Sequence, residues 1–305
     1  MRRRYKIVLS VLIVLVVAVS GFIVWAETPL GPMPEALEAL ESDSSVSVTK
    51  GRWLVFMPAQ DGAETGFIIY PGGRVDYRSY APVARGIAAE GYLVVIVRMP
   101  LNLAVFGSGA ASDVMSAFPE VGAWAVGGHS LGGSMAAQFV YRNPSSVEGL
   151  ILWASYPASG DDLSDRDIAV ATIYGTKDGL ASHDKIERSL GLLPPDALII
   201  GIEGGNHAQF GSYGPQAGDD EALITREQQQ MEIIKATVQL LREITLTLSI
   251  RFEFLDYVNR EWFVVVAVHT VLDRCSVRER ILDTLPIVDA VLKSVSLRAQ
   301  SLLYT

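Results

Sequence analysis

The stretch AVGGHSLGGSMAAQF, residues 125–139, places a serine between glycines, directly after an apolar run and directly before a stretch with helical character. Its centre, GHSLG at residues 128–132, matches the G-x-S-x-G pattern of a nucleophile elbow. A sharp strand-to-helix turn leaves no room for side chains two positions before and after the serine, so glycine is needed at both. The pattern alone is common, but a strand before it and a helix after it are the context that it requires. We therefore interpret Ser130 as a candidate nucleophile.

Strand-like and helix-like stretches alternate on both sides of this elbow, from about Val46 to Leu241. Several of the strands, such as GFIIY and YLVVIV, are continuously apolar, which is typical of a sheet covered on both faces. Strands alternating with helices predict a parallel sheet with right-handed crossovers. The sequence therefore predicts an α/β fold, a mostly parallel central sheet flanked by helices. Reactive groups are expected beyond the carboxyl ends of its strands.

A serine hydroxyl is a poor nucleophile, so a base and an orienting acid are expected on loops after later strands. Asp178 follows the strand IAVATIYG in a tight turn, and His207 follows the strand ALIIGIEGG. We predict that His207 is the base and Asp178 the acid, with Asp184 as the alternative acid after the same strand. Other aspartates precede that strand and are expected at the wrong edge of the sheet: Asp161, Asp162, Asp165 and Asp167.

An oxyanion hole needs two backbone donors. The amide of Leu131, directly after the candidate nucleophile, is the first. The loop YPGGRVDYRSY, residues 70–80, is predicted to supply the second through Gly73, with Arg74 as the alternative. The remaining histidines, for which structural or surface roles are the simpler interpretation, are His129, His183 and His269.

The N-terminus carries a targeting signal. Basic residues at positions 2–4 and 6 precede the uncharged run Ile7–Ala26, which is long enough to cross roughly 30 Å of hydrocarbon as a helix. The basic cluster favours the cytoplasmic side, which places the rest of the chain on the extracytoplasmic side as a membrane-anchored domain. The alternative is a signal peptide cleaved after Ala26, since VWA ends in a small residue. Both interpretations predict export.

Four regions are predicted along the chain. Residues 1–26 form the anchor or signal peptide, residues 27–45 an acidic spacer with a short helix, residues 46–243 the catalytic domain, and residues 244–305 an appendage. In the appendage, the alternating TLTLSIRFEF (residues 245–254) and the apolar EWFVVVAVHTVL (residues 261–272) are predicted as strands, and residues 276–295 as a helix. Only 48 residues separate Ser130 from Asp178, which predicts that there is no large lid domain.

Composition narrows the function further. With 25 basic and 34 acidic residues the net charge is −9, which argues against a nucleic-acid partner. Cys275 is the single cysteine, so no intrachain disulfide and no cysteine-based metal cluster is possible. The predicted chemistry implies neither a metal nor an organic cofactor, and the expected partner is a small ester or other acyl substrate.

Four stretches together resemble the α/β-hydrolase superfamily, and within it the compact hydrolases grouped near the dienelactone hydrolases. They are YPGGRVDYRSYAPVARGIAAEGYLVVIVRMPLNLAVFG, GGHSLGG, YGTKDGLAS and EGGNHAQFGSYGPQAGD. The resemblance runs from about Val46 to Leu241 and implies Ser130 as nucleophile, Asp178 as acid and His207 as base. Dienelactone hydrolases proper use a cysteine nucleophile, so their cyclic ester substrate does not carry over to this serine.

The function predicted on these grounds is an exported serine hydrolase of carboxylic esters that works through an acyl-enzyme. A thioesterase, an amidase or an acyltransferase with the same triad remains an alternative. An alternative of another class is a membrane-tethered binding protein that uses a hydrolase scaffold without turnover.

Overall fold

The structure is a computed structural model that describes residues 2–59 and 62–274. Seven helices are present in these ranges: α1 (Arg2–Ala26), α2 (Pro34–Glu38), α3 (Ala81–Ala89), α4 (Ala110–Ala117), α5 (Leu131–Arg142), α6 (His183–Ser189) and α7 (Arg226–Arg274). The strands are β1 (Val46–Lys50), β2 (Trp53–Pro58), β3 (Thr65–Tyr70), β4 (Leu93–Val97), β5 (Ala123–His129), β6 (Gly149–Trp153), β7 (Ala169–Gly175) and β8 (Leu198–Ile202). One compact unit, Met1–Leu246, carries all the strands, and a second unit begins at Thr247.

The eight strands form one sheet in the order β1-β2-β4-β3-β5-β6-β7-β8. The pairs β1–β2 and β2–β4 are antiparallel, and all the other neighbours are parallel. The predicted α/β fold with a mostly parallel sheet is therefore confirmed. The chain between Ser130 and Asp178 contains α5, β6, β7 and irregular connections, with no inserted lid domain.

The core lies on both faces of the central strands. Every residue of β3, β4, β5 and β6 is buried, as expected for apolar strands covered by helices on each side. Phe67 of β3 packs edge-on against Trp153 of β6, with ring centroids 5.6 Å apart. Burying a large side chain of this kind stabilises a fold by roughly 1.5–3 kcal/mol. This rigid core holds the ends of β5, β7 and β8 in place.

The prediction of two strands in the C-terminal appendage is wrong. Residues 245–254 and 261–272 lie within α7, which runs unbroken to Arg274. The 49-residue stretch Arg226–Arg274 contains neither glycine nor proline, so nothing in it terminates a helix once the helix has begun. Cys275 and the helix predicted at residues 276–295 lie outside the described residues.

Helix α1 is long and apolar enough to span a membrane from Tyr5 to Ala26, with a mean hydropathy of 3.2. Its side chains from Tyr5 to Trp25 are exposed, whereas Ala26 is fully buried against the domain. The following residues, predicted as a spacer, contain α2 and a short parallel bridge from Leu30 to Val75. The chain therefore passes directly from the apolar helix into the folded unit.

Candidate active site

The elbow at Ser130 is strained in the way that its sequence predicts. Ser130 joins β5 to α5 with φ 52° and ψ −123°, a conformation that a residue with a side chain rarely adopts. A Cβ atom on Gly128 would lie 2.2 Å from the carbonyl oxygen of Tyr70, and one on Gly132 would lie 2.1 Å from the same oxygen. Both glycines are therefore required, because α5 begins directly against the end of β3.

Asp178 and His207 meet in the interior beside this edge of the sheet. Nδ1 of His207 lies 2.8 Å from Oδ2 of Asp178, and both side chains are almost completely buried. The other carboxylate oxygen, Oδ1, accepts hydrogen bonds from the amides of Leu180 at 2.8 Å and Ala181 at 2.6 Å. These two amides fix the carboxylate, and the carboxylate fixes the imidazole.

The second ring nitrogen of His207, Nε2, is buried and has no hydrogen-bond partner within the described residues. Ser130, the predicted partner of this nitrogen, is half-buried at the start of α5 and makes no hydrogen bond to it. The structure thus joins Asp178 to His207 but leaves the contact between Ser130 and His207 unmade. Catalytic hydrogen bonds are often long in unliganded enzymes and tighten when substrate binds. A buried nitrogen without a partner is costly in a folded protein, and among the described residues Nε2 of His129 shares this property with Nε2 of His207.

The two predicted oxyanion residues lie side by side. A Cβ atom on Gly73 would lie 3.1 Å from Cδ2 and 3.5 Å from Cβ of Leu131. Among the described residues, neither the Gly73 amide nor the Leu131 amide has a hydrogen-bond acceptor. The Leu131 amide is the first of α5, where the helix dipole is positive, and the Gly73 amide belongs to the loop that packs against the Leu131 side chain. Free amides so placed can stabilise a developing negative charge.

A buried network ties the Gly73 loop to the elbow. The amide of Gly72 donates to the Tyr80 hydroxyl oxygen at 2.9 Å, and that hydroxyl lies 2.9 Å from Nδ1 of His129. Burial, followed by the nearby His207, holds the pKa of His129 well below its usual range, so its ring is neutral near pH 7. The Tyr80 hydroxyl can then donate to Nδ1. His129 is thus a hydrogen-bonding residue of the core, as the sequence indicated.

One residue that the sequence analysis missed is Asp219. Its Oδ1 accepts from the amides of His207 at 3.2 Å and Gly179 at 3.1 Å, and its Oδ2 accepts from the amide of Ala208 at 2.8 Å. Asp219 therefore clamps the loop of the imidazole to the loop of Asp178. No sequence motif marks it, because it acts through side chain to backbone bonds between three separate loops.

The competing acids and histidines lie elsewhere. Asp184 is in the first turn of α6, and His183 stacks on Tyr174 with ring centroids 5.4 Å apart. His269 lies within α7. In the part of the chain that the structure describes, no three histidine, cysteine, aspartate or glutamate side chains are grouped as metal ligands.

A family model described as "Alpha/beta hydrolase family" matches residues 66–231, which is more than half of the chain. The chain belongs to the alpha/beta hydrolase family. The matched range contains the elbow, the Asp178–His207 pair and the Gly73 loop, so these features lie in the part of the chain that defines membership.

Solved structures agree with this fold. A predicted CIB-like hydrolase from Thermoplasma acidophilum is 16% identical, with a TM-score of 0.50, and the match covers 65% of this chain and all of that one. A cold-adapted esterase from an Arctic intertidal metagenomic library is 15% identical, with a TM-score of 0.46, over 66% of this chain and 96% of that one. At 16% identity, the likeness to the Thermoplasma acidophilum structure shows the fold alone. No curated protein matches the chain.

Proposed function

We propose that this alpha/beta hydrolase is a serine hydrolase that cleaves carboxylic esters. The observation that carries the proposal is the buried hydrogen bond of 2.8 Å between Asp178 and Nδ1 of His207, with Nε2 left free. This arrangement fixes the imidazole with one nitrogen held and the other available as a base. Ser130 lies at the strained elbow of the same sheet edge, and its hydroxyl makes no hydrogen bond within the described residues.

In the proposed reaction, Nε2 of His207 takes the hydroxyl proton as Oγ of Ser130 attacks the ester carbon. The amides of Leu131 and Gly73 hold the oxyanion, and the tetrahedral intermediate collapses as His207 returns the proton to the leaving alcohol. A water molecule, activated by the same imidazole, then attacks the acyl-enzyme. The acid is released and the Ser130 hydroxyl is restored. The reaction consumes one water molecule and needs no cofactor.

We further propose that α1 is a membrane anchor and that the domain lies on the extracytoplasmic side. The junction after the helix supports the anchor over cleavage after Ala26. Ala26 is fully buried, and its carbonyl oxygen accepts a hydrogen bond of 3.0 Å from Nδ2 of Asn102. A peptidase needs an accessible, extended site. The peptide bond after Ala26, in contrast, lies at the end of a helix and is held by the domain.

A panel of short-chain esters, thioesters and amides, offered to the detergent-solubilised full chain, tests the activity. We expect ester turnover to exceed thioester and amide turnover, together with covalent labelling of Ser130 by a fluorophosphonate probe. Faster thioester or amide turnover would assign the same triad to a thioesterase or an amidase. If the probe labels Ser130 and the acyl group is transferred to an added alcohol rather than to water, the protein is an acyltransferase. Absence of both turnover and labelling would leave the non-catalytic binding protein as the correct interpretation.

The clamp at Asp219 gives a prediction on positioning. Replacing Asp219 with Asn removes the charge that holds the amides of His207 and Ala208, so the His207 loop is expected to shift relative to Ser130. We expect kcat for ester hydrolysis to fall by about 10–100-fold with little change in KM, because small misplacements of a catalytic group cost rate rather than binding. The exposed neighbour provides the control, since Asp220→Asn removes the same charge one residue away. Equal activity of the two variants would contradict a positioning role for Asp219.

A further inference from the structure

The end of helix α1 is bonded to the loop that carries Gly73. The guanidinium of Arg74, the next residue, donates to the carbonyl oxygens of Trp25 at 2.8 Å and Thr28 at 2.6 Å. It also stacks over the Trp25 ring, 4.4 Å from the centroid. The Arg74 carbonyl oxygen in turn accepts from the amide of Leu30 at 2.7 Å. One side of the proposed oxyanion site is therefore the point at which the apolar helix enters the domain.

A second segment reaches the same point. We call Leu101–Phe106 the mouth segment. The Asn102 carbonyl oxygen accepts from the amide of Arg74 at 2.8 Å, while its side chain bonds to the carbonyl of Ala26. Leu103 also lies beside Gly73, because its Cδ2 would be 3.8 Å from a Cβ atom placed there. The mouth segment thus connects the end of α1 to the proposed oxyanion site.

The mouth segment begins with left-handed backbone and ends with exposed apolar side chains. Leu101 and Asn102 have φ of 53° and 52°, in the left-handed region that non-glycine residues avoid. Val105 is 47% exposed and Phe106 53% exposed, although Ala104 between them and Leu103 is fully buried. Ala104–Phe106 packs against α5, which begins at the elbow. These two adjacent apolar side chains offer a small contact surface beside the proposed site.

The position of α1 identifies what that contact is. If α1 spans a membrane, Trp25 lies at the layer where tryptophan is enriched, between hydrocarbon and water. Asn102 and Arg74, which bond to this end of the helix, must then lie at the same level. Val105 and Phe106 follow within four residues of Asn102, which is close enough for them to reach the membrane surface. Apolar side chains beside a span are stabilised by entering the boundary between headgroups and acyl chains.

We propose that the mouth segment inserts into the headgroup layer of the membrane and that the site takes its substrate from that layer, as a lipid ester with long acyl chains. The inference rests on the proposed serine hydrolase activity and on α1 as an anchor. Long-chain esters partition into the bilayer, where their ester carbonyls lie at the headgroup boundary, level with the proposed oxyanion site. Hydrolysis breaks the acyl carbon–oxygen bond with one water molecule and releases a fatty acid and the remaining alcohol.

The activity test uses the full chain reconstituted in phosphatidylcholine vesicles that contain a long-chain diacylglycerol. Fatty-acid release is compared with hydrolysis of a water-soluble short-chain nitrophenyl ester. We expect the double variant Val105→Ser/Phe106→Ser to lose about tenfold in release from vesicles and to keep its rate on the soluble ester. The control is Tyr141→Ser, since Tyr141 is another exposed aromatic residue, at the opposite end of α5, and 38% exposed. It is expected to leave both rates unchanged.

The outcomes separate the two proposals. If the parent protein hydrolyses the soluble ester but releases no fatty acid from vesicles, the membrane substrate is wrong and the serine hydrolase stands. If both rates of the double variant fall together, the mouth segment shapes the pocket and does not contact the membrane, which overturns the inference. If neither rate of the double variant falls, the inference is also overturned. If the parent hydrolyses neither ester, the proposed activity itself is wrong.

A measurement without turnover tests the membrane contact directly. An environment-sensitive fluorophore is attached at position 106 of Phe106→Cys, in a Cys275→Ser background, and at position 141 of Tyr141→Cys as the control. In vesicles of lipid brominated along its acyl chains, we expect quenching at position 106 and none at position 141. At position 106, an emission spectrum typical of apolar surroundings without quenching would mean that a protein surface covers the mouth segment. Emission typical of water there would mean that nothing covers it, and either result overturns the inference.

Discussion

Ser130→Ala is expected to abolish ester hydrolysis, with a loss of at least about 10³-fold in kcat, while the fold is retained. In the proposed mechanism the hydroxyl of Ser130 forms the acyl-enzyme, and no second residue shares that role. The side chain makes no hydrogen bond in the described part of the structure, and its backbone amide still donates to the carbonyl of Trp153 at 2.9 Å. Alanine therefore removes the reacting atom and little else. Steady-state rates with a soluble ester, together with the melting temperature, measure both effects.

Ser134→Ala is the matched control for this variant. Ser134 lies one turn further along α5, and its hydroxyl donates to the carbonyl of Tyr156 at 2.7 Å. The same hydroxyl lies 3.2 Å from the hydroxyl of Ser155. Its replacement is expected to cost about 1 kcal/mol of stability for each hydrogen bond lost and to leave turnover intact. Retained hydrolysis in Ser130→Ala would show that the nucleophile lies elsewhere.

The elbow and the alternation of strands and helices could be predicted from sequence because both depend on local rules. Glycine at positions 128 and 132 is dictated by the close approach of the Tyr70 carbonyl, and this requirement leaves a readable pattern. Apolar strands followed by polar turns likewise mark the edge of the sheet where Asp178 and His207 meet. A parallel sheet brings the ends of its strands together whatever their separation along the chain.

The features that sequence could not reveal depend on bonds between irregular segments. Asp219 contacts amides at positions 179, 207 and 208 through its side chain, and Tyr80 connects Gly72 to His129. Neither contact follows from periodicity, because loop conformations decide which amides are free to donate. The same reason applies to Arg74, which was considered only as an alternative oxyanion donor and instead holds the end of α1.

The C-terminal appendage shows the opposite case: a strand-like sequence pattern is present, but the chain forms a helix there. The alternation of polar and apolar residues from Thr245 favours a strand, yet the preceding helix extends through it. Ile244 is buried against Gly149, and the Thr245 hydroxyl lies 2.8 Å from that of Thr65. These contacts hold the helix on the sheet at the point where the predicted strand would begin. Packing at its start thus outweighs the local preference.

Asp178→Asn is expected to lower kcat by about 10⁴-fold with the fold intact, the size of loss that the serine-protease triad shows for the same change. The geometry explains why asparagine fails here. The amides of Leu180 and Ala181 both donate to Oδ1, so the asparagine oxygen is required at that position. Its NH₂ group must then face Nδ1 of His207, where it can only donate. The imidazole is forced to carry its proton on Nε2, and it can no longer take the proton of Ser130.

The measurement is kcat with a soluble ester for Asp178→Asn beside Asp184→Asn, which alters the alternative acid on α6. We expect Asp184→Asn to retain full activity, since its carboxylate lies in the first turn of that helix and makes no hydrogen bond to His207. Fluorophosphonate labelling of Ser130 is expected to slow in parallel with turnover in Asp178→Asn, because both need the proton to leave the hydroxyl. Near-normal turnover in Asp178→Asn with a loss in Asp184→Asn would reassign the acid and show that the buried pair is structural.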